Sequence, residues 1–425
     1  LARLSDHLFD SVSQALFVPA SLEYSGLCLT LGRGFVELKK SLQRARTSSE
    51  ELGDLRSRAL IKQHLGRILH LSTRSSQAME AFSEGKKEVE DLGDADIRIE
   101  AAEFIGMYYF MQGKFAEARP HLEEAVRSFE SEESTRLIHT SAPWSLVHCV
   151  AYLGQLHDAI GMAEHYRRMA LSRSDRSLAC MFQAFLGIIL FSVGSTEEAD
   201  RHLFEALEES QETGNLVAGV YAKGGLVYKC FHEGRFREAQ EWSSESLVET
   251  RALGLALRDV SDLALETDYE MLRLGGGHLP RNRFMREVKQ IIGHPSVHLR
   301  GVALRLTAME AADKGENPRK IESLLESSEK YLIESGDPAQ LARTRVELAR
   351  LKLRQGDSEK ARILAQKAWK GFTGRAGFFY PDDLKHLLED RGRSPVMRDT
   401  RVEILEMFVN VIRELEPSSD LDRLM

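Results

Sequence analysis

The chain has 425 residues, 57 of them basic and 65 acidic, for a formal net charge of -8. That balance argues against a general nucleic-acid surface, which would concentrate Lys and Arg, and suits a binder of protein or small ligands. The four cysteines, Cys28, Cys149, Cys180 and Cys230, form no C-x-x-C pair and have no His at ligand spacing, so they read as reduced, buried thiols.

Residues 2 to 17 carry a helical stripe of Leu4, Leu8, Val12, Ala15 and Leu16 that Pro19 is expected to stop. In phase with the downstream repeat, residues 1–18 read as the second helix of a leading repeat whose first half is missing, and the chain as a piece of something longer. From 19 to 378 one figure recurs: a turn glycine, then an alanine five residues on. It is seen at Gly113 and Ala118, Gly154 and Ala159, Gly194 and Ala199, Gly234 and Ala239, and Gly356 and Ala361. Gly275 and Gly315 fall where the interval puts them, so a period near 40 residues runs through the middle of the chain. Such a period specifies stacked helix hairpins.

The second turn of each hairpin is equally regular, as Leu52-Gly53-Asp54, Leu92-Gly93-Asp94, Thr213-Gly214-Asn215, Leu253-Gly254-Leu255 and Ser335-Gly336-Asp337. Glycine there ends one helix in the left-handed conformation, and the following Asp or Asn caps the next. A small residue seven positions before the first turn, as at Gly26, Gly66, Gly106, Gly187, Ala308 and Ala349, implies close helix approach, with the repeat alanine facing it. Three stretches are irregular: Glu130 to Pro143, Gly275 to Pro280, and the unit with Pro295 that Pro318 closes. Beyond 378 the pattern fails, and residues 379–425 read as capping helices, among them Val402 to Leu415, and a linker towards a following domain.

Small residue, glycine turn, alanine and adjacent aromatic, as in Gly106, Tyr109, Gly113, Phe115 and Ala118, resemble the tetratricopeptide (TPR) pattern. The period of 40 instead of 34 is similar to the sensor region of MalT-type regulators and related multidomain bacterial signalling ATPases. The likeness covers residues 20 to 378, and the tail from Leu415 to Leu424 resembles the lead-in to a GAF domain. The resemblance implies an all-α, right-handed superhelical solenoid of about nine TPR-like hairpins, with ATPase-like and GAF-like or DNA-binding domains flanking it.

No phosphate loop, H-E-x-x-H pair or G-x-S-x-G elbow is present, so no enzyme and no cofactor or metal is implied. No signal peptide is seen and no apolar run is read as long enough to span a bilayer, so a cytoplasmic protein without a membrane partner is expected. Arg343, Arg350 and Arg354 share one helix face and are expected to pair locally with Glu347 and Asp357. In TPR-like arrays the first helices line the concave wall, and carrying that arrangement over puts Phe110, Trp144, His148, Phe191, Tyr228, Phe231 and Tyr269 in one groove, with Gln63, Arg67 and His70 at its polar end. Aromatic side chains with polar tips would anchor a protein, a peptide or a small effector. The expected function is a non-catalytic sensor or scaffold module of a cytosolic bacterial signal-transduction or transcriptional regulator. Its partners would be a protein, peptide or small effector, without direct nucleic-acid contact and with a homo-oligomer allowed. A Rap-type peptide-pheromone receptor is the alternative, although it would expect an N-terminal effector domain larger than Leu1 to Phe17, and a passive assembly scaffold is a further one.

Overall fold

The structure is a computed structural model and describes residues 11–31, 34–71, 75–93, 95–130, 142–252, 262–275 and 280–388. Regular structure among the described residues is all helical, in consecutive hairpins. They are α1 (Ser11–Leu31) with α2 (Phe35–Glu51), α3 (Leu55–Leu71) with α4 (Ser75–Leu92), α5 (Ala95–Met111) with α6 (Phe115–Glu130), and α7 (Ala142–Tyr152) with α8 (Leu156–Ser172). There follow α9 (Arg176–Val193) with α10 (Thr196–Thr213), α11 (Leu216–His232) with α12 (Phe236–Ala252), and α13 (Asp262–Arg273) with α14 (Arg281–Ile291). The last are α15 (Val297–Asp313) with α16 (Pro318–Ser335), and α17 (Pro338–Arg354) with α18 (Ser358–Gly371); short 3-10 turns at Gly377–Phe379 and Asp382–Leu387 close the described chain.

The turns form as the repeat specifies. Gly194 sits at φ 96°, and the N–H groups of Gly194 and Ser195 donate to the carbonyls of Phe191 and Leu190, which the helix end would otherwise leave open. On the other turn, Asp337 Oδ1 accepts from Ala339 and Gln340 N–H at 2.8 and 3.0 Å, and Asn215 Oδ1 accepts from Ala218 N–H at 3.0 Å. Between α8 and α9 no glycine is available, and Ser174 takes the left-handed conformation, φ 60°, in its place.

Close approach is real in the hairpins that carry Gly66, Gly106 and Gly187; Ala199 faces Gly187 as expected, its carbonyl 3.1 Å from where a Cβ would stand, but the tightest contact is with a larger side chain. A Cβ on Gly106 would come within 2.6 Å of Leu122, and one on Gly187 within 2.5 Å of Leu203. The glycine therefore receives the large side chain one turn beyond the repeat alanine, while Ala118 and Ala199 are themselves fully buried.

Three further expectations are corrected. Pro19 does not stop a helix: α1 runs through it to Leu31 and is the first helix of a complete hairpin with α2, not the second helix of a truncated repeat. Pro19 lies on the exposed side, where the carbonyl left without its donor can meet water. A long apolar helix does exist: α9 has the length and composition to cross a bilayer, and 83% of it is buried, packed between neighbouring helices, which accounts for its apolarity. Residues 1–10, the linker at 131–141, Gly254, Gly276 and Gly277, the amphipathic stretch 402–415 and the tail lie outside the described residues.

The inner wall is not an open groove. The front arc, α5 to α11, and the rear arc, α13 to α18, curl until they touch. Val297 N–H donates to the Gln112 carbonyl at 2.8 Å, Ala376 N–H to the Ser192 carbonyl at 2.9 Å, and Lys114 pairs with Glu334 at 3.1 Å. A single apolar core reaches from Ala102 and Phe115 through Phe182 and Tyr228 to Ala342, Phe372 and Tyr380. These contacts between the arcs close the space in which an open groove was expected.

Candidate functional site

Where the arcs meet, a cavity of about 70 Å³ lies between α7, α9, α11, the start of α13 and the start of α17. One side is apolar and aromatic, with His148, Tyr152, Phe185 and Ile189; the other is polar, with Asp262, Asp337, Gln340, Arg343 and Arg375. Its volume holds a few waters or a small polar group.

The polar side is a continuous network. Asp262 accepts from Tyr152 Oη at 3.1 Å and from Gln340 Nε2 at 2.6 Å. His298 lies 3.5 Å from Asp262 and 3.9 Å from Asp337. Beyond it, Glu266 takes both Arg305 and Arg343, Arg305 also donates to the Gln340 carbonyl at 2.9 Å, and Arg343 donates to Tyr228 Oη at 3.1 Å. Asp262, Glu266, His298, Arg305 and Asp337 are all buried.

Burial and neighbours shift these groups in opposite directions. Burial pushes Asp262 up, but His298, Gln340 and Arg343 outweigh it and hold the carboxyl below its ordinary range. Burial pushes His298 down, and the two carboxylates outweigh that and raise it. Asp337 is raised by burial, and Arg305 is pushed down to about 9, by burial first and Arg343 second. His148 is pushed down to about 4 by burial and is neutral at pH 7; its Nδ1 bonds the Trp144 carbonyl at 2.9 Å and its Nε2 makes no hydrogen bond.

Of the seven groove candidates, His148 and Tyr228 line this cavity. Trp144 is buried among His148, Phe182, Phe185 and Tyr221, and Phe191 among Tyr228, His232 and Phe379; both are core side chains. Tyr269 is fully buried in a separate core against Phe284. Phe110 and Phe231 are half-buried and pack on Phe115 and Phe236 respectively, the aromatics that open the next helices. Phe191, against Phe379, and Tyr228, bonded by Arg343, meet the other side of the molecule, whereas the ring contacts of Trp144, Phe110, Phe231 and Tyr269 are with helices near them in sequence. At the polar end Gln63 is buried, Arg67 pairs with Glu103 at 3.6 Å, and the His70 side chain lies outside the described residues.

Among the arginines, Arg350 pairs with Glu347 as expected and also with Asp383, whereas Arg343 bonds Glu266, 77 residues earlier, and Asp357 pairs with Lys360. Asp262, Glu266, Gln340 and Arg375 are not singled out by the sequence pattern. The available signal is an isolated charge at an interior position of an otherwise apolar first helix, as with Arg305 in α15.

Residues 99–131 and 342–367 match tetratricopeptide-repeat family models. These are TPR repeats. No curated protein sequence matches the chain. Among solved structures, it is similar to a Rap protein complexed with Competence and Sporulation Factor, at 12% identity and TM-score 0.50, over 96% of this chain and 99% of that one. It is also similar to the Rap conjugation gene regulator of the plasmid pLS20 in complex with the Phr* peptide, at 13% identity and TM-score 0.53, over 82% and 95%. A STAND protein with a TPR sensor from Pyrococcus horikoshii matches at 14% identity and TM-score 0.39, over 77% of this chain and 47% of that one. At these identities the likeness establishes the fold, an all-helical TPR solenoid.

Proposed function

We propose that the chain is a non-catalytic regulatory module of a cytosolic bacterial signalling protein, which takes a peptide or small effector between its arcs and converts occupancy into a change in their closure. The observation that supports this reading is the charge-lined cavity at the arc junction. Packing alone does not require ionised groups there, because replacing a buried ion network by apolar side chains is often neutral or stabilising. A junction built on Asp262, Glu266, Arg305 and Arg343 is suited to exchanging one set of polar partners for another. Arg343 and Arg375 would receive an anionic group such as a peptide's terminal carboxylate, which the cavity's volume admits, and an apolar side chain beside it would reach His148, Phe185 and Tyr228 as the arcs part.

Peptide is the ligand class we favour, since one of the two Rap structures of similar fold holds a peptide by name. A Rap-type receptor fits as well as a sensor module within a longer regulator. The fold likeness to one Rap protein runs over 99% of that chain, which supports the Rap-type reading. The flanking ATPase and GAF domains remain part of the proposal for the longer-regulator form.

The test is a thermal-shift screen of short peptides with free and with amidated C-termini, followed by small-angle scattering on any hit. A ligand at 100 times its Kd should stabilise by about 2.7 kcal/mol, amidation and Arg343→Gln should each weaken binding at least tenfold, and the radius of gyration should change. A hit indifferent to both the carboxylate and Arg343 would refute the placement of the site.

A further inference from the structure

His298 lies at the seam between the two arcs. Val297, the residue before it, donates its N–H to the Gln112 carbonyl of the front arc at 2.8 Å, and a Cβ on Gly113 would come within 2.6 Å of the His298 Cβ. Phe115 and Tyr152, also of the front arc, set their rings 5.2 and 5.1 Å from the imidazole. The rear arc flanks the same ring with a carboxylate at each nitrogen. Asp262 Oδ2 is 3.5 Å from Nε2, and Asp337 Oδ2 is 3.9 Å from Nδ1, where Ser335 Oγ also stands at 3.3 Å.

Carboxylates at opposite nitrogens select the charged ring. A neutral imidazole has one N–H, so one of the two carboxylates would face a lone pair, whereas the imidazolium offers a donor to each. An oxygen of Asp262 and one of Asp337 lie within 4.8 Å of each other, and both side chains are buried, so without a cation beside them their charges repel with little screening. The neighbouring charges are engaged in other pairs or act on one aspartate from a distance. Glu266 takes Arg305 and Arg343, Lys114 pairs with Glu334, Arg375 acts on Asp337 from the cavity wall, and burial first and Asp262 second keep Tyr152 neutral.

We propose that His298 is a proton-operated latch: as an imidazolium it joins Asp262 to Asp337 and holds the rear arc on the turn at Gln112 and Gly113, and loss of its proton lets the arcs part. Burial lowers this ring and the two aspartates outweigh burial, so its folded value stands above the ordinary 6.5. Its contribution to closure is therefore whole below pH 6.5 and is lost as pH rises through the folded value. His64, His148, His232 and His294, pushed below 6.5 by burial, are neutral over that range. The latch does not depend on what the cavity binds.

The experiment follows the full chain from pH 6 to 9.5 at constant ionic strength, by small-angle scattering and by amide exchange at Val297. The radius of gyration should rise in one step above pH 6.5, and Val297 protection, corrected for the intrinsic pH dependence of exchange, should fall by about tenfold or more across the same step. His298→Asn, which keeps a donor and an acceptor without the charge, should be loose at both ends of the range and show no step. Asp337→Asn, which can still cap α17, should move the step down by about one pH unit. The wild-type measurement needs no variant to fold. A wild-type chain without the step, a step that survives in His298→Asn, or one unmoved by Asp337→Asn would each overturn the latch.

Discussion

The front and rear arcs use the same hairpin and fill it with different chemistry. The interior of α9 is apolar apart from Gln183 and Ser192, with Phe182, Phe185 and Phe191 supplying most of its bulk. The interiors of α15 and α17 instead carry Arg305, Gln340 and Thr344, with Arg305 bonded across hairpins to Gln340, Thr344 and Glu266, and His298 beside Asp262 and Asp337. Area burial in the front is non-directional and adapts to small shifts. The ion network in the rear has discrete geometry, and an unmet member is costly. Repeat geometry is therefore indifferent to what fills it, whereas the way each arc fails is not.

The largest effect should come from cutting the front core. Phe182→Ala removes a fully buried ring and should cost about 3–5 kcal/mol in urea denaturation. In the rear, Arg305→Met should cost nearly as much, about 3–5 kcal/mol, because Glu266 stays buried beside a single half-buried arginine. Adding Glu266→Leu should recover most of that loss. A double variant as unstable as the single one would show that the rear arc is not held by compensated charge.

Acid should act on the front arc through His148. Its folded value, about 4, is depressed below the unfolded value of 6.5, so the unfolded chain takes up a proton that the folded one refuses. Stability is complete above pH 6.5 and falls by up to about 1.4 kcal/mol per unit as pH drops from there towards 4. His64 and His232, pushed down to about 3 by burial, act in the same direction but less, since both keep some exposure. Denaturation midpoints at pH 7.5, 6 and 5 test this, and His148→Phe should flatten the slope. The smallest effect belongs to the turn between α8 and α9: Ser174→Gly should stabilise by less than about 1 kcal/mol by removing a side chain from a left-handed position.

The hairpins are legible in the sequence because their signals are local. A glycine ending a helix and an Asp or Asn opening the next act over four or five residues, and Gly194, Asn215 and Asp337 all do in space what their neighbours in sequence imply. Pro19 misleads because its effect depends on which side of the helix it occupies, and a stripe of apolar residues does not say whether the freed carbonyl meets water. The cavity is not legible. Tyr152 meets Asp262 across 110 residues and Arg343 meets Tyr228 across 115, and no period of 40 encodes how far an array curls before its ends touch. The repeat places Trp144 and Phe191 on first helices, but it does not say that Trp144 packs among α7, α9 and α11 or that Phe191 meets Phe379 from the far end of the array.

The turn glycines differ in what surrounds them. A side chain on Gly113 would strike His298 and Ser296, and one on Gly154 would strike Pro338, whereas Gly234, Gly275, Gly315 and Gly356 face open space. Two of these loops are therefore seams and four are free ends. A reporter tag or fluorophore spliced in at Gly234 or Gly315 should leave the molecule undisturbed, while the same insert at Gly113 would prise it apart, which provides both a harmless handle and a deliberate wedge for watching the two halves separate.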